Sequence, residues 1–245
     1  MDASIKVAEL KATRGVAWMA EAFNMFRQKP MAWIGLCAGW LVITFGLLLL
    51  PIIGGVIASF LQPAFFASFA IVGVRQLHGE KVLMGDLFLG FRRNLKPLIH
   101  LGAILLMTEI AVFALMALLG LPMAAAGDKP FTVNEYVEAL GGKEWILMLG
   151  FFLTVTIKGA FWFAPPLIAL HDMSTTHAMR WSVYAFLANF GAMMLYGSTL
   201  FMFFFAALIP WALGLILVIP LMAISTYVGY REVFEAREGY EVAPP

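Results

Sequence analysis

Charged residues are scarce in this chain, and two long segments lack them entirely. Asp, Glu, Lys and Arg make up 13% of the 245 residues, whereas hydrophobic residues make up 62%. Soluble domains carry about 25% charged and about 45–50% apolar residues. The composition therefore excludes a large soluble core, and the net charge of +1 argues against a nucleic-acid partner. We predict an integral membrane protein in contact with the lipid bilayer.

The chain also lacks cysteine pairs and catalytic signatures. Cys37 is its single cysteine, so an internal disulfide is excluded. The short motifs of zinc proteases, serine hydrolases, P-loop NTPases and dinucleotide-binding domains do not occur. We therefore expect no enzyme activity, no catalytic residues, no cofactor and no metal ion.

The charge-free segments run from Met31 to Val74 and from Trp181 to Tyr230. A single helix over the first segment would measure roughly 66 Å, about twice the hydrocarbon core of a bilayer. Each segment must therefore cross and return, with a proline, Pro51 or Pro210, at the reversal. We predict helical spans over residues 31–50, 56–74, 98–121, 145–170, 190–209 and 212–230.

A segment with helical periodicity precedes each pair of spans. Its apolar residues recur at three- and four-residue steps, with basic residues on the other faces. Such amphipathic helices lie naturally in the headgroup plane, although a cytosolic helix packed on the bundle end is the alternative. The apolar sets are Val16, Met19, Phe23 and Phe26, then Met84, Phe88, Phe91 and Leu95, then Met179, Val183 and Phe186.

The predicted fold is all-α and polytopic, with six transmembrane helices in a single membrane domain over residues 1–245. The helices form three repeated hairpins, each preceded by an amphipathic interfacial helix. The repeats cover about residues 13–77, 84–173 and 174–235, and the middle one contains a loop over 122–144. The first and third repeats agree best, since Pro63 and Pro220 occupy their return helices.

Basic residues are distributed unequally between the two ends of this plan. Thirteen of the sixteen Lys and Arg residues fall on the side that carries both termini, whereas Lys129 and Lys143 fall opposite. The positive-inside rule therefore places the N- and C-termini in the cytoplasm. Trp18, Trp33, Trp145, Trp181 and Trp211 are expected near the interfaces, where aromatic belts lie.

Glu109 and Lys158 form the candidate polar pair inside the membrane. Glu109 lies 13 residues before Pro122 and Lys158 lies 14 residues after Glu144, so their depths match across one antiparallel hairpin. Ionisable residues at such depths are costly and usually face a partner or a cavity. A structural pair that fixes helix register is favoured over a substrate or proton site; contacts of either residue with other groups are the third alternative.

The basic end holds weaker candidates. Arg92, Arg93, His171 and Asp172 are candidate interfacial residues. His78, His100, His171 and His177 map to the same end, but no pair has the i, i+4 spacing of a metal-binding helix. We therefore interpret the histidines as interfacial hydrogen-bonding residues.

Three segments carry a resemblance to known proteins: Phe23–Pro30, Trp162–Pro165 with Leu170 and His171, and Tyr227–Phe234. They resemble a family of uncharacterised bacterial inner-membrane proteins with six helices and the same repeated hairpins. More distantly, the chain is similar to the membrane domain that precedes some glycerophosphodiester phosphodiesterases, without their soluble catalytic domain. The resemblance implies a fold and an inner-membrane location, and no functional residue.

Two functions are compatible with these features. The first is a non-enzymatic accessory or scaffold subunit, or an assembly factor, of a membrane complex. The second is a transporter or lipid-handling protein with a site at Glu109 and Lys158. The expected partners are the lipid bilayer, another membrane protein and a bound lipid. An intramembrane enzyme ranks third, because the spans carry no nucleophile–base pair or metal constellation.

Overall fold

The computed structural model describes residues 6–122, 132–235 and 242–243 of the chain, and it is mostly helical. The first five α-helices are α1 (Arg14–Gln28), α2 (Pro30–Leu48), α3 (Ile53–Leu77), α4 (Leu89–Arg92, after a 3₁₀ turn at Met84–Phe88) and α5 (Leu95–Leu118). The next six are α6 (Val133–Leu140), α7 (Glu144–Ala160), α8 (Ala164–His171), α9 (Thr175–Ala188), α10 (Phe190–Leu208) and α11 (Leu215–Phe234).

Six stretches of the described residues are long and apolar enough to cross a membrane. They are Pro30–Leu48, Ile53–Leu77, Leu95–Leu118, Glu144–His171, Phe190–Leu208 and Leu215–Phe234. Every predicted boundary lies within four residues of these bounds. The prediction of six apolar helices is therefore confirmed. The threefold repeat and the position of the lead-in helices in the headgroup plane stay predictions.

The fourth span is interrupted, where the sequence predicts one continuous helix. α7 ends at Ala160 and α8 begins at Ala164. Pro165 and Pro166 have no backbone N–H, so they cannot donate to the carbonyls of Phe161 and Trp162 as residues of a continuous helix would. The Phe163 backbone N–H instead donates to the Ser182 hydroxyl of α9 over 3.1 Å. The interruption therefore has a local cause in the two prolines.

The turns after α2 and α10 share an unusual backbone. Ile52 follows Pro51 with φ of 60°, and Trp211 and Ala212 follow Pro210 with φ of 54° and 63°. Residues with a side chain rarely adopt these values, because their Cβ crowds the backbone. Gly54 is required in the first turn, since a Cβ there would overlap the Leu47 carbonyl.

Burial divides the spans into two halves. The packed half comprises residues 30–37, 63–77, 95–102, 164–171, 190–196 and 220–234, which lie toward the basic end and hold most of the buried side chains. The open half comprises residues 38–62, 103–118, 144–160 and 197–219, where most large apolar side chains are exposed. In α3, α8 and α11 a mostly buried stretch begins at or beside a proline: Pro63, Pro165 and Pro220. These three segments form the centre of the bundle.

Two features differ from the sequence predictions. A strand pair is present in a fold predicted to be all-α, and a helix is present in the predicted 122–144 loop. Val7–Ala8 (β1) pairs antiparallel with Val242–Ala243 (β2), so a short two-stranded bridge joins the segments near the two termini. Asn189 holds the N-terminal segment, since its side chain accepts from the Leu10 N–H and donates to the Ala8 carbonyl. The predicted loop contains α6, and its residues 123–131 lie outside the described residues.

The first lead-in helix, α1, packs on the bundle through part of its predicted apolar face. In α1 the buried residues are Trp18, Met19, Ala22, Met25 and Phe26, whereas Val16 and Phe23 of the predicted apolar face are exposed. The buried part of α1 packs against α10 and α11. The rest of the predicted apolar face remains exposed.

Candidate functional site

Glu109 of α5 and Lys158 of α7 meet on the wall of the bundle. Lys158 Nζ lies 2.5 Å from Glu109 Oε1. Their side chains are 43% and 41% exposed, respectively. The two residues with matching predicted depths are therefore in contact, but the pair faces outward from the bundle centre. In a membrane this surface meets lipid or another protein.

The position of Lys158 follows from the interruption of the fourth span. Lys158 lies in the last turn of α7, two residues before the helix ends at Ala160. The partial negative charge at a helix C-terminus favours a cation there. Glu109 lies within α5, about 21 Å from its start by the helical rise. The ammonium group is therefore stabilised by both the carboxylate and the helix end.

The surroundings of the pair are apolar and leave little space. A cavity of about 10 Å³ is lined by the pair with Leu105, Thr108, Val112, Thr154 and Ile157. A second cavity of about 80 Å³ adjoins Lys158 and is lined by Gln62, Pro63, Phe66, Leu105, Phe161, Trp162 and Pro165. Thr108 donates to the Leu105 carbonyl over 2.7 Å. Such spaces suit water-sized molecules, and the pair offers charge and hydrogen bonds toward the outside.

The candidate interfacial residues are only partly brought together. Arg93 Nη2 lies 3.9 Å from Asp172 Oδ2, with both side chains largely exposed. His171 Nε2 lies 2.5 Å from the hydroxyl of buried Tyr230. Arg92 is exposed at the end of α4. None of these four residues lines either cavity beside Glu109 and Lys158.

His78 and His177 also make local contacts. His78 Nδ1 lies 2.9 Å from the Val74 carbonyl, and His177 Nε2 accepts from Trp181 Nε1 over 2.9 Å. Among the described residues, no group of three His, Cys, Asp or Glu side chains is arranged to hold a metal ion.

The sequence pattern does not predict a polar network that lies at the basic end. Arg14 of α1 donates to Glu232 of α11 over 2.5 Å and to Glu21 over 2.8 Å. The indole of Trp18 donates to Glu232 over 2.7 Å. The hydrogen bond to Glu232 is the main cause that raises the pKa of Arg14 above its usual value. Arg14 and Glu21 share a helix face in the sequence, but no local pattern identifies Glu232 as their partner.

Two tryptophans expected in the aromatic belts lie in the core instead. Trp18 and Trp33 are almost fully buried. Trp33 Nε1 donates to Gln76 Oε1 over 2.6 Å, and the Gln76 amide donates to the Met25 carbonyl over 2.8 Å. Trp145 and Trp211 are exposed near the opposite end of the bundle. Both buried indoles therefore have hydrogen-bond partners within the protein, Glu232 for Trp18 and Gln76 for Trp33.

A comparison with curated proteins finds a probable inner membrane protein of Burkholderia thailandensis. The two sequences are 28% identical over 239 residues, which cover 91% of this chain and 84% of the relative. No family model and no solved structure matches the chain. The relative and the six apolar helices together support a bacterial inner-membrane location. The similarity to the membrane domain of glycerophosphodiester phosphodiesterases stays a prediction.

Proposed function

We propose that this chain is a non-enzymatic inner-membrane protein that binds another membrane protein. Its role would be that of an accessory or scaffold subunit, or of an assembly factor. The observation that carries the proposal is the outward-facing ion pair of Glu109 and Lys158. Exposed apolar residues, Ile110, Phe113 and Val155, lie nearby on the same two helices.

The cost of charges in hydrocarbon supports a partner at this wall. A single charged side chain at the centre of a spanning helix costs about 2.5–3.5 kcal/mol on insertion scales. The mutual attraction of the pair offsets part of that cost, but both side chains remain over 40% exposed. Interhelical hydrogen bonds contribute about 0.6–2 kcal/mol each in membranes. A polar group on a partner helix would therefore stabilise the complex and fix its orientation.

Copurification from native membranes in mild detergent tests the proposal. We expect the wild-type chain to retain a specific protein in a fixed ratio, and the Glu109→Gln/Lys158→Met double variant to lose it. The matched control is Arg93→Gln/Asp172→Asn, which removes an exposed ion pair at the basic end. The proposal fails if the wild type is a monodisperse monomer without a copurifying protein, or if the double variant retains the same protein.

The alternative of a transporter or lipid-handling site at the pair has weaker support. Ligand sites usually occupy about 300–1,000 Å³. The cavities beside Glu109 and Lys158 measure about 10 and 80 Å³. A substrate pathway through this point would require a rearrangement of α5 and α7.

The orientation is also a proposal: both termini lie in the cytoplasm. Most Lys and Arg residues flank the packed half, including Lys29, Arg75, Arg93, Arg180 and Arg231. The positive-inside rule assigns that end to the cytoplasm. Cysteine accessibility at Lys11→Cys and Thr132→Cys, in the chain with Cys37 replaced, would test it. Labelling of residue 11 from outside an intact inner membrane would contradict this orientation.

We further propose the threefold repeat of a lead-in helix and a hairpin. The matching positive-φ residues after Pro51 and Pro210 support it. So does the buried stretch that begins at or beside a proline in α3, α8 and α11. In this plan α1, α4 with its preceding 3₁₀ turn, and α9 are the lead-in segments near the headgroup plane.

A further inference from the structure

The basic end of α5 and the amphipathic helix α9 enclose a groove that neither Glu109 nor Lys158 lines, although Phe161 borders both this groove and the cavity beside Lys158. Its volume is about 550 Å³, and its lining includes Ile104 of α5, Phe161 at the span interruption, and Arg180, Val183 and Leu187 of α9. The lining is mainly apolar, but it includes the cationic side chain of Arg180. The groove therefore combines an apolar surface with a cation.

Two further basic residues share the α5 face that forms this groove. Lys96 and His100 precede Ile104 by eight and four residues, so helical geometry places all three on one stripe. The Thr175 hydroxyl donates to the Pro97 carbonyl over 2.9 Å, which holds the start of α9 beside the start of α5. This contact places Lys96 and His100, next to Pro97 on α5, near Thr176 and Arg180, which follow Thr175 on α9.

Lys96, His100 and Arg180 form what we call the basic rim of the groove. Within the described part of the chain, no hydrogen bond or ion pair engages Lys96, His100 or Arg180, and all three are exposed. By contrast, Arg14, Arg75 and Arg231 at the same end of the bundle are paired with carboxylates. The unpaired cations at Lys96 and Arg180 suit an anionic ligand that reaches this rim from the bilayer.

We propose that this groove binds an anionic phospholipid of the surrounding membrane. Its phosphate would lie between Lys96, His100 and Arg180, which supply N–H donors and positive charge. One acyl chain would lie along Ile104, Phe161, Val183 and Leu187. Basic sites between helices at the cytoplasmic side of a membrane recognise anionic headgroups in this way. The charge at the rim selects the lipid, and the apolar lining holds its chain.

Lipid retention measured by native mass spectrometry tests this proposal. The full-length protein is incubated in nanodiscs that contain equal amounts of phosphatidylglycerol and phosphatidylcholine, then released for measurement. We expect preferential retention of phosphatidylglycerol. The Lys96→Gln/Arg180→Gln variant should lose about fivefold in that preference for each charge removed, roughly 25-fold in total. These side chains are exposed, so the variant is expected to fold, which its thermal midpoint checks.

The control variant Lys81→Gln/Arg27→Gln removes the same charges from other exposed positions at the basic end. It should retain the wild-type preference, and so should Glu109→Gln/Lys158→Met, which separates this site from partner binding. The proposal is overturned if the wild type shows no preference for phosphatidylglycerol. It is also overturned if the rim variant keeps the preference, or if the control variant loses it to the same extent.

The Val183→Trp variant tests the surface proposed to bind the acyl chain, because the larger side chain would fill the groove. It should release phosphatidylglycerol, whereas Val42→Trp on an exposed face of α2 should not. Equal retention by both tryptophan variants would contradict the assignment of the acyl chain to this groove.

Discussion

The packed half and the open half of the bundle are built from the same helices but are stabilised differently. In the packed half, small residues such as Ala64, Ala67 and Gly73 let α3 approach its neighbours, and the Tyr227 ring packs directly over Gly73. In the open half, exposed phenylalanines cover α10, at Phe201, Phe203, Phe204 and Phe205. Membrane helices associate through close packing and hydrogen bonds, because lipid is as apolar as their side chains.

The two halves also differ in whether their polar groups find partners within the protein. The packed half satisfies its polar groups internally, as the Trp33–Gln76 and Tyr196–Ser225 hydrogen bonds illustrate. The open half instead offers its surface outward, and the Glu109–Lys158 pair lies on that surface. Structural integrity therefore depends mainly on the packed half, and the surface available to a protein partner lies mainly in the open half.

The largest expected effect contrasts one residue type in the two regions. Trp33 is 0% exposed in the packed half, whereas Trp211 is 93% exposed at the end of the open half. Trp33→Ala should destabilise the protein by about 3–5 kcal/mol, because it leaves a cavity and removes the Gln76 partner. Trp211→Ala should change stability by less than about 0.5 kcal/mol. Denaturant unfolding in detergent micelles measures both.

The same two tryptophan variants can contradict the claim that the packed half contributes more to stability than the open half. Similar losses for Trp33→Ala and Trp211→Ala would show that the two regions contribute equally to stability. If Trp33→Ala unfolds at the same denaturant concentration as the wild type, the packed half does not carry the stability that we assign to it.

A smaller effect is expected at the Glu109–Lys158 pair. Glu109→Gln and Lys158→Met should each lower stability, because each leaves an unpaired charge. The double variant should lose less than the sum of the single losses, with a coupling of about 0.5–3 kcal/mol. Unfolding in detergent gives the four stabilities. Additive losses would show that the two groups do not interact across the wall.

The sequence predicts the spans well but not the division into two halves. Apolar runs and prolines report which residues avoid water, so the six helices lie within four residues of expectation. Lipid and protein neighbours are equally apolar, however, and a run such as residues 197–219 gives no sign that its surface stays open. Burial of Trp18 and Trp33 depends on Glu232 and Gln76, which are distant in sequence.

The candidate site shows the same limit. Matching depths predict the contact between Glu109 and Lys158, because both positions can be counted from one loop. The outward direction of the pair depends on helix rotation, which the charge pattern alone does not define. The groove between α5 and α9 depends on the packing of segments about 80 residues apart. The stripe of Lys96, His100 and Ile104 is recognisable as part of the groove only once that packing is known.

The smallest effect is a pH dependence at α6, which adjoins the open half through Leu140, Leu121 and Ile146. The backbone N–H and hydroxyl of Thr132 hydrogen-bond to Glu135 and lower the pKa of this carboxyl group. The ionised form is therefore favoured in the folded helix. Its stabilisation is complete above the ordinary carboxyl pKa and is lost as pH falls through the lowered pKa.

Amide hydrogen exchange over residues 133–140 measures this effect between about pH 6 and about pH 3, after correction for intrinsic rates. Protection should fall at the lower pH in the wild type and should depend little on pH in Glu135→Ala. Packed-half amides in α3 serve as the internal reference. Constant wild-type protection of α6 across this range would contradict the role of the ionised carboxylate.

Site-specific photo-crosslinking in native membranes tests the central claim, that a protein covers the Glu109–Lys158 wall. The crosslinker replaces Val155, which is 46% exposed on α7, or Phe45, which is 62% exposed on α2. We expect a discrete crosslinked protein from position 155 and lipid adducts alone from position 45. Lipid adducts alone from both positions, or the same protein product from both, would contradict it.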